Sequence, residues 1–193
     1  MTKGKDTKYA ILETALDMAS QFSLESVTIG TLAKATNMSK SGLFAHFQSK
    51  ENLQIEILKF AADDFTGHVV LPALRKKAGI PRIKTLVENW IQWGARLKGG
   101  CIFVSAATEF SERPGKVRDY LLYQQEEWIA SLKKIAQSAI RTKVFRADID
   151  CEQFAFDLYS LLLGYHYYHI LLRRHSSRER QETALDHLIR AYQ

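Results

Sequence analysis

The sequence predicts an all-α protein of about nine helices, an N-terminal three-helix unit carrying a helix-turn-helix and a larger C-terminal helical domain. Three observations carry that prediction. Only three prolines and ten glycines interrupt 193 residues, so long stretches carry no breaker. Apolar residues recur through those stretches at three- and four-residue spacing, the period of a helix with one buried face. The stretch 28–47, TIGTLAKATNMSKSGLFAHF, places Ala33, then Asn37 four positions on, then Leu43 six beyond that. A small residue, a turn-former and an apolar residue in that order are what two helices crossing steeply require. The first domain is set at residues 6–52 and the second at 53–193.

Met1 to Lys5 is polar and reads as loose. From about Asp6 to Phe22, Ile11, Leu12, Ala15, Leu16, Ala19 and Phe22 form one stripe, a helix that would cover the two after it. Ser23 to Ser26 is a polar break, and Val27 tucks in ahead of Thr28. Thr28 caps the next helix with its side-chain oxygen, and Ile29, Leu32 and Ala33 share that helix's inner face. Asn37 takes the sharp turn, because Asn tolerates the left-handed conformation better than other side chains. Met38 plugs the turn. Ser39 caps a short second helix with Leu43 and Phe47 inside and Lys40, Ser41 and His46 outside. That outer face is free to enter a major groove, which is wide enough for a helix.

Ser49 caps a helix from about Lys50 past Phe65, with Leu53, Ile57, Phe60 and Ala61 buried. Pro72 breaks or kinks it, and Lys76 to Pro81 is a connector. Ile83, Leu86, Val87, Trp90, Ile91, Gly94 and Leu97 make the next stripe, ended by Gly99 and Gly100. Cys101 to Phe110 is a short apolar helix closed by Ser111 to Gly115, with Pro114 suited to a helix start. Val117, Leu121, Trp128, Leu132 and Ile135 mark a long amphipathic helix ending near Lys143. Phe145 to Asp150 is a turn with Asp150 as a cap. Phe154 to Leu172 is apolar nearly all round, so it is buried on more than one side. Ser177 caps a last helix with Ala184, Leu185, Leu188, Ile189 and Tyr192 inward. A near-terminal helix pair of this kind is expected to meet its copy in a second chain, through residues 150–173 and 177–192, as a four-helix dimer interface.

Net charge is +6 and pI about 9.3, which suits a polyanionic partner. Residues 1–50 hold six lysines against four acids, leaving +2, so affinity there must come from where charge is placed. Cys101 and Cys151 are the only cysteines, nothing in their spacing suggests a metal site, and they fit a reducing compartment. A lone Cys101 at a helix start reads as structural rather than as a redox sensor. The N-terminus carries no apolar run of a signal peptide. Asp157, Ser160, His166 and His169 within 154–172 argue against a membrane span. A cytoplasmic protein is expected, with no metal and no cofactor. No nucleophile elbow, HExxH, Glu-x-x-His pair or phosphate loop is present, which argues against an enzyme.

The stretch from about Tyr9 to Leu53 resembles the N-terminal domain of TetR-family transcriptional regulators. Ala15, Phe22, Thr28, Ile29, Leu32, Ala33, Met38, Ser39, Lys40, Leu43, Phe44, His46, Phe47, Ser49, Lys50 and Leu53 carry the likeness, and SKSGLFAHFQSKENL is its most specific part. The later chain is similar to one branch of that family through residues 100–103, 109–110, 113–115, Val117 and 145–146.

The resemblance implies a double-stranded DNA operator, with Ser39, Lys40, Ser41 and Gly42 starting the recognition helix and facing bases and phosphates. Thr28, His46 and Lys50 would meet the DNA backbone. Phe44 stands where the family has Tyr, so it offers a ring for sugar or a thymine methyl and no hydroxyl. Asn37 replaces the usual Gly. The family further implies a small-molecule effector pocket, with Trp90, Trp93, Phe103, Phe110, Tyr123, Trp128, Tyr159, Tyr165, His166 and His169 as candidates. The run Tyr165 to His169 puts polar tips into an apolar helix, as a cavity or a dimer contact would require. The effector expected is flat, apolar or aromatic. The function implied is a sequence-specific repressor released by that effector. An all-helical ligand-binding module without DNA binding is the alternative, suggested by Phe44 and the modest N-terminal charge.

Overall fold

A computed structural model describes residues 3–193, and all regular structure among them is helical. The helices are α1 (Lys3–Phe22), α2 (Ile29–Thr36), α3 (Lys40–Phe47), α4 (Lys50–Phe65), α5 (Leu71–Leu74), α6 (Ile80–Arg96), α7 (Ile102–Phe110), α8 (Lys116–Arg141), α9 (Cys151–Ile170) and α10 (Ser177–Tyr192). A π-helical turn, Thr66–Val70, joins α4 to α5 without a break, so the ten α-helices of the described residues make nine rods. The chain forms two compact units, one of Met1–Phe65 with Gly94–Gln124 and one of Thr66–Trp93 with Gln125–Gln193.

In the first unit α1 packs on α2, α4 and α7, and α3 packs on α2 and α4. Leu12, Ala15, Leu16 and Ala19 of α1 are buried with Leu24, Val27, Leu32, Leu43, Leu53, Ile57 and Ala61. Phe47 of α3 is fully buried among them, and its truncation to Ala would cost about 3–5 kcal/mol through lost burial and a residual cavity. The Gly99 backbone comes so close to α1 that a Cβ there would fall 1.7 Å from the Ser20 carbonyl oxygen. Glycine is therefore required, and its amide donates to Ser20 Oγ at 2.9 Å.

In the second unit α9 packs along α10. Phe145, Phe154 and Tyr192 cluster with ring centroids 5.1–5.8 Å apart, in tilted and edge-on contacts. The Tyr192 hydroxyl donates to Asp157 Oδ2 at 2.6 Å, and burial together with that carboxylate pushes its pKa well up. Asp150 caps α9, accepting from the amides of Glu152 and Gln153. No helix among the described residues is long and apolar enough to cross a membrane.

Several expectations need correction. Of the loose start Met1 to Lys5, Met1 and Thr2 lie outside the described residues, and Lys3–Lys5 already belong to α1. Phe22 is 67% exposed, because α1 ends there and Leu24, the second residue of the break, takes the buried place. Phe60 is half-buried, edge-on to Tyr9 at 5.0 Å, whereas Gln54 and Leu58 complete the buried face of α4. Pro72 does not end the rod, which runs on to Leu74. The widened π-turn absorbs a ring that would clash with the His68 carbonyl in a regular helix. The connector before α6 closes at Gly79, and Pro81 lies inside the first turn of α6, where its missing amide is not needed. Ser176, not Ser177, stands at the N-cap of α10 and makes no side-chain cap bond, while Ser177 is buried with Oγ 3.4 Å from His169 Nδ1.

Candidate nucleic-acid interface

The turn-helix geometry of the first unit begins at Thr28. Its Oγ1 accepts from the Thr31 amide at 3.0 Å, and Thr31 Oγ1 accepts from the Thr28 amide at 2.9 Å. This reciprocal pair satisfies two of the donors that a helix start leaves open. Asn37 adopts the left-handed conformation, φ 54° and ψ 35°, and its amide bonds back to the Ala33 carbonyl. The chain thus reverses within Asn37, Met38 and Ser39. Ser39 Oγ accepts from the Gly42 amide at 3.1 Å and opens α3. A Cβ on Gly42 would lie 3.1 Å from that same oxygen, so glycine keeps the cap uncrowded.

Leu43 and Phe47 point inward and are fully buried, which fixes the rotation of α3. Lys40, Ser41, Phe44 and His46 are therefore left on the outside, and all four are exposed. Phe44 is 58% exposed, a large apolar ring on an otherwise polar face. Ser41 Oγ lies 3.2 Å from Ser39 Oγ. Together these give a short exposed cylinder with a free ammonium, two hydroxyls and open amides at its N-terminal end. Such an end favours negative charge, since its unpaired N–H groups point outward.

Lys50 opens α4 after Ser49, whose Oγ caps the Asn52 amide at 3.0 Å. Lys50 Nζ donates to Glu25 Oε1 at 2.5 Å. The Glu25 carboxyl is held below its ordinary value, chiefly by that hydrogen bond, with further help from Gln54 and Arg113 and against some desolvation. The break between α1 and α2 is itself held by Glu109 of α7. Glu109 Oε2 accepts from the Leu24 amide at 3.1 Å and Oε1 from the Glu25 amide at 3.0 Å. Sequence reasoning missed the roles of Glu25 and Glu109. The two bonds to Glu109 join positions 85 and 84 residues apart, and no local spacing encodes such a pairing.

The aromatic candidates divide between the units. Trp90, Trp93, Trp128 and Tyr165 are buried in the second unit, with His166 half-buried and His169 exposed. Phe103 and Phe110 are buried in the first unit, where Phe103 meets Phe65 edge-on at 6.1 Å. Tyr123, also in the first unit, is 56% exposed. Tyr159 donates to Gln125 Oε1 at 2.5 Å. Tyr165 stacks on His169 with centroids 5.2 Å apart and planes 11° from parallel. Burial lowers the pKa of His166, and the neighbouring His169 lowers it further. Tyr165 also lines a cleft of about 570 Å³ with Ser160, Gly164, Tyr168, Arg174 and Gln181. Cys101 is buried and its thiol is pushed up to about 11 by that burial, which keeps it in the unreactive form. No group of three or more His, Cys, Asp or Glu side chains among the described residues is placed to hold a metal.

One face of α9 is apolar and open. Phe156, Leu163, Tyr167 and Leu171 are all exposed, and with Ser160 they follow one another at spacings of four, three, four and four. That is a single helical stripe, apolar except at Ser160, and monomeric surfaces rarely expose so long an apolar strip.

Residues 11–57 match the family model described as bacterial regulatory proteins, tetR family, and residues 79–185 match the tetracyclin repressor-like C-terminal domain. No curated protein sequence matches the chain. Among solved structures, a TetR transcriptional regulator from Chloroflexus aurantiacus J-10-FL shares 21% identity, with 98% of this chain and 95% of that one covered at a TM-score of 0.85. A putative transcriptional regulator from Saccharomonospora viridis, solved with choline, shares 21% over 94% and 95% at 0.79. AibR, solved with isovaleryl coenzyme A and operator DNA, shares 22% over 93% and 94% at 0.71. At these identities the likeness concerns the fold.

Proposed function

Because the chain belongs to the TetR family of bacterial transcriptional regulators, we propose that it is a repressor released from its operator by a small, mostly apolar or aromatic effector. Its DNA-binding domain is the helix-turn-helix, assigned to residues 6–52, and residues 53–193 bind effector and dimerise. Ser39, Lys40, Ser41 and Gly42 meet bases and phosphates, Thr28, His46 and Lys50 meet the DNA backbone, and Phe44 packs on sugar or a thymine methyl. The observation that carries this reading is the outward set of Lys40 and Ser41 on α3, fixed by the burial of Leu43 and Phe47 behind them. The effector candidates are Trp90, Trp93, Phe103, Phe110, Tyr123, Trp128, Tyr165, His166 and His169. The joint presence of an acyl thioester and operator DNA on AibR supports one chain of this fold carrying both partners.

Two copies pair through residues 150–173 and 177–192. The open stripe of α9 supports that pairing, since a second copy would cover it. The pair sets two recognition helices in successive major grooves, about 34 Å apart. Effector that binds one of two states better moves the helix after Ser49 and spoils that spacing. Fluorescence anisotropy with a duplex from upstream of the chain's own gene tests the reading. Binding should be sequence-preferring and fall steeply with salt. Lys40→Ala with Lys50→Ala should abolish it while circular dichroism stays unchanged. A wild-type protein that binds this duplex no better than a scrambled one refutes the repressor and leaves a ligand-binding module.

A further inference from the structure

Lys50, expected on a DNA phosphate, is already engaged in the free protein. Its Nζ lies 2.5 Å from Glu25 Oε1. The other carboxylate oxygen, Oε2, takes Gln54 Nε2 at 3.3 Å and Arg113 Nη1 at 3.5 Å. Glu25 is itself anchored. Its amide and that of Leu24 donate to Glu109 of α7, and the buried Gln54 also donates to the Leu24 carbonyl at 3.2 Å. Arg113 in turn lies over the Phe110 ring at 5.5 Å, so the whole arrangement is tied to one end of α7. An anionic oxygen pair is thus presented to an ammonium and a guanidinium, as a phosphodiester would present its two oxygens.

We propose that Glu25 stands in for a DNA phosphate in the free protein, and that Lys50 exchanges it for a phosphate oxygen when duplex DNA binds. Glu25 thereby sets operator affinity without touching the operator. The side chains of Lys50 and Glu25 are 38% and 42% exposed, so an incoming phosphate can reach the ammonium. A pair so exposed is held weakly, which lets the exchange run at low cost. Glu109 and Arg113 both fall within the stretch that matches the family's C-terminal domain. The competitor is therefore held from the effector-binding side, and any shift of that end of α7 would change how firmly Lys50 is withheld.

The proposal rests on the DNA-binding reading above. Its test measures wild type, Glu25→Gln, Lys50→Ala and the double variant by anisotropy on the upstream duplex at several salt concentrations. Gln keeps the size of Glu25 and its contact with Gln54, and the bonds from the backbone amide are untouched. Glu25→Gln should bind roughly two- to fivefold more tightly at low salt, the range that an exposed ion pair supports. The gain should shrink as salt rises, because screening weakens the competing pair. In the Lys50→Ala background the gain should vanish. Wild type and Glu25→Gln binding alike would overturn the proposal, as would an equal gain with and without Lys50, which would mean that Glu25 acts only by its charge. Failure of wild type to prefer the duplex would instead sink the DNA-binding reading itself.

Discussion

Replacing Glu109 with Ala should destabilise the protein by about 2–3 kcal/mol. The carboxylate accepts two backbone amides, from Leu24 and Glu25, at 3.1 and 3.0 Å. Hydrogen bonds to a charged group contribute about 1.5–3 kcal/mol each when one partner is removed. Both amides are only partly buried, so water replaces part of each lost bond and about 1–1.5 kcal/mol applies to each. For a chain of 193 residues each kcal/mol moves Tm by about 2–4 °C. The expected fall is therefore about 4–12 °C, followed at 222 nm at fixed protein concentration, since a dimer's Tm depends on concentration. Glu109→Gln should lose about half as much, because its amide can accept from one donor but turns an N–H toward the other. The exposed Glu112 is the control, and Glu112→Ala should stay within about 0.5 kcal/mol of wild type. A Glu109→Ala shift no larger than that of Glu112→Ala would refute the view that this carboxylate holds the break between α1 and α2.

Glu25 and Glu56 both carry carboxyls held below the ordinary value of 4.5, Glu25 first by Lys50 and Glu56 first by Lys8. A carboxyl lowered on folding stabilises the fold above its unfolded pKa, and that contribution is lost as pH falls through the folded pKa. Stability should therefore decline as pH drops below 4.5. Glu56→Gln should be less stable than wild type at neutral pH by no more than about 1 kcal/mol, and the two should converge in acid; parallel stability curves from neutral to acid pH would exclude the effect. Phe156→Glu with Leu163→Glu should convert the proposed dimer to a folded monomer in light scattering at low micromolar concentration, and a dimeric mass left unchanged would refute an interface on this stripe of α9.

Which residues form helices was legible locally. Thr28, Asn37, Ser39 and Asp150 announced their turns because capping and left-handed backbone are short-range chemistry, decided within three or four positions. The buried faces of α1 from Ile11 to Ala19, of α2 at Leu32 and Ala33, and of α3 at Leu43 and Phe47 followed from period alone, and with them the outward set of Lys40, Ser41 and His46. Local signals were less reliable at element ends. Phe22 carried a buried stripe onto the final residue of its helix, where it is exposed, and Pro72 announced a break that the π-turn absorbed.

Charge partners could not be read from the sequence. Lys50 looked like an unencumbered cation in a first helical turn. Only the folded chain brings Glu25 to it from 25 positions away and sets Glu109 on the amides beside Glu25. The aromatic residues of α6, α7, α8 and α9 were likewise visible as types, but their division between two units depends on how α6 and α8 each pass from one unit to the other. Hydrophobic period is written every three or four residues and survives in any context that buries one face. Ion pairs and shared cores form between positions whose separation along the chain carries no period, so the tertiary structure alone decides them.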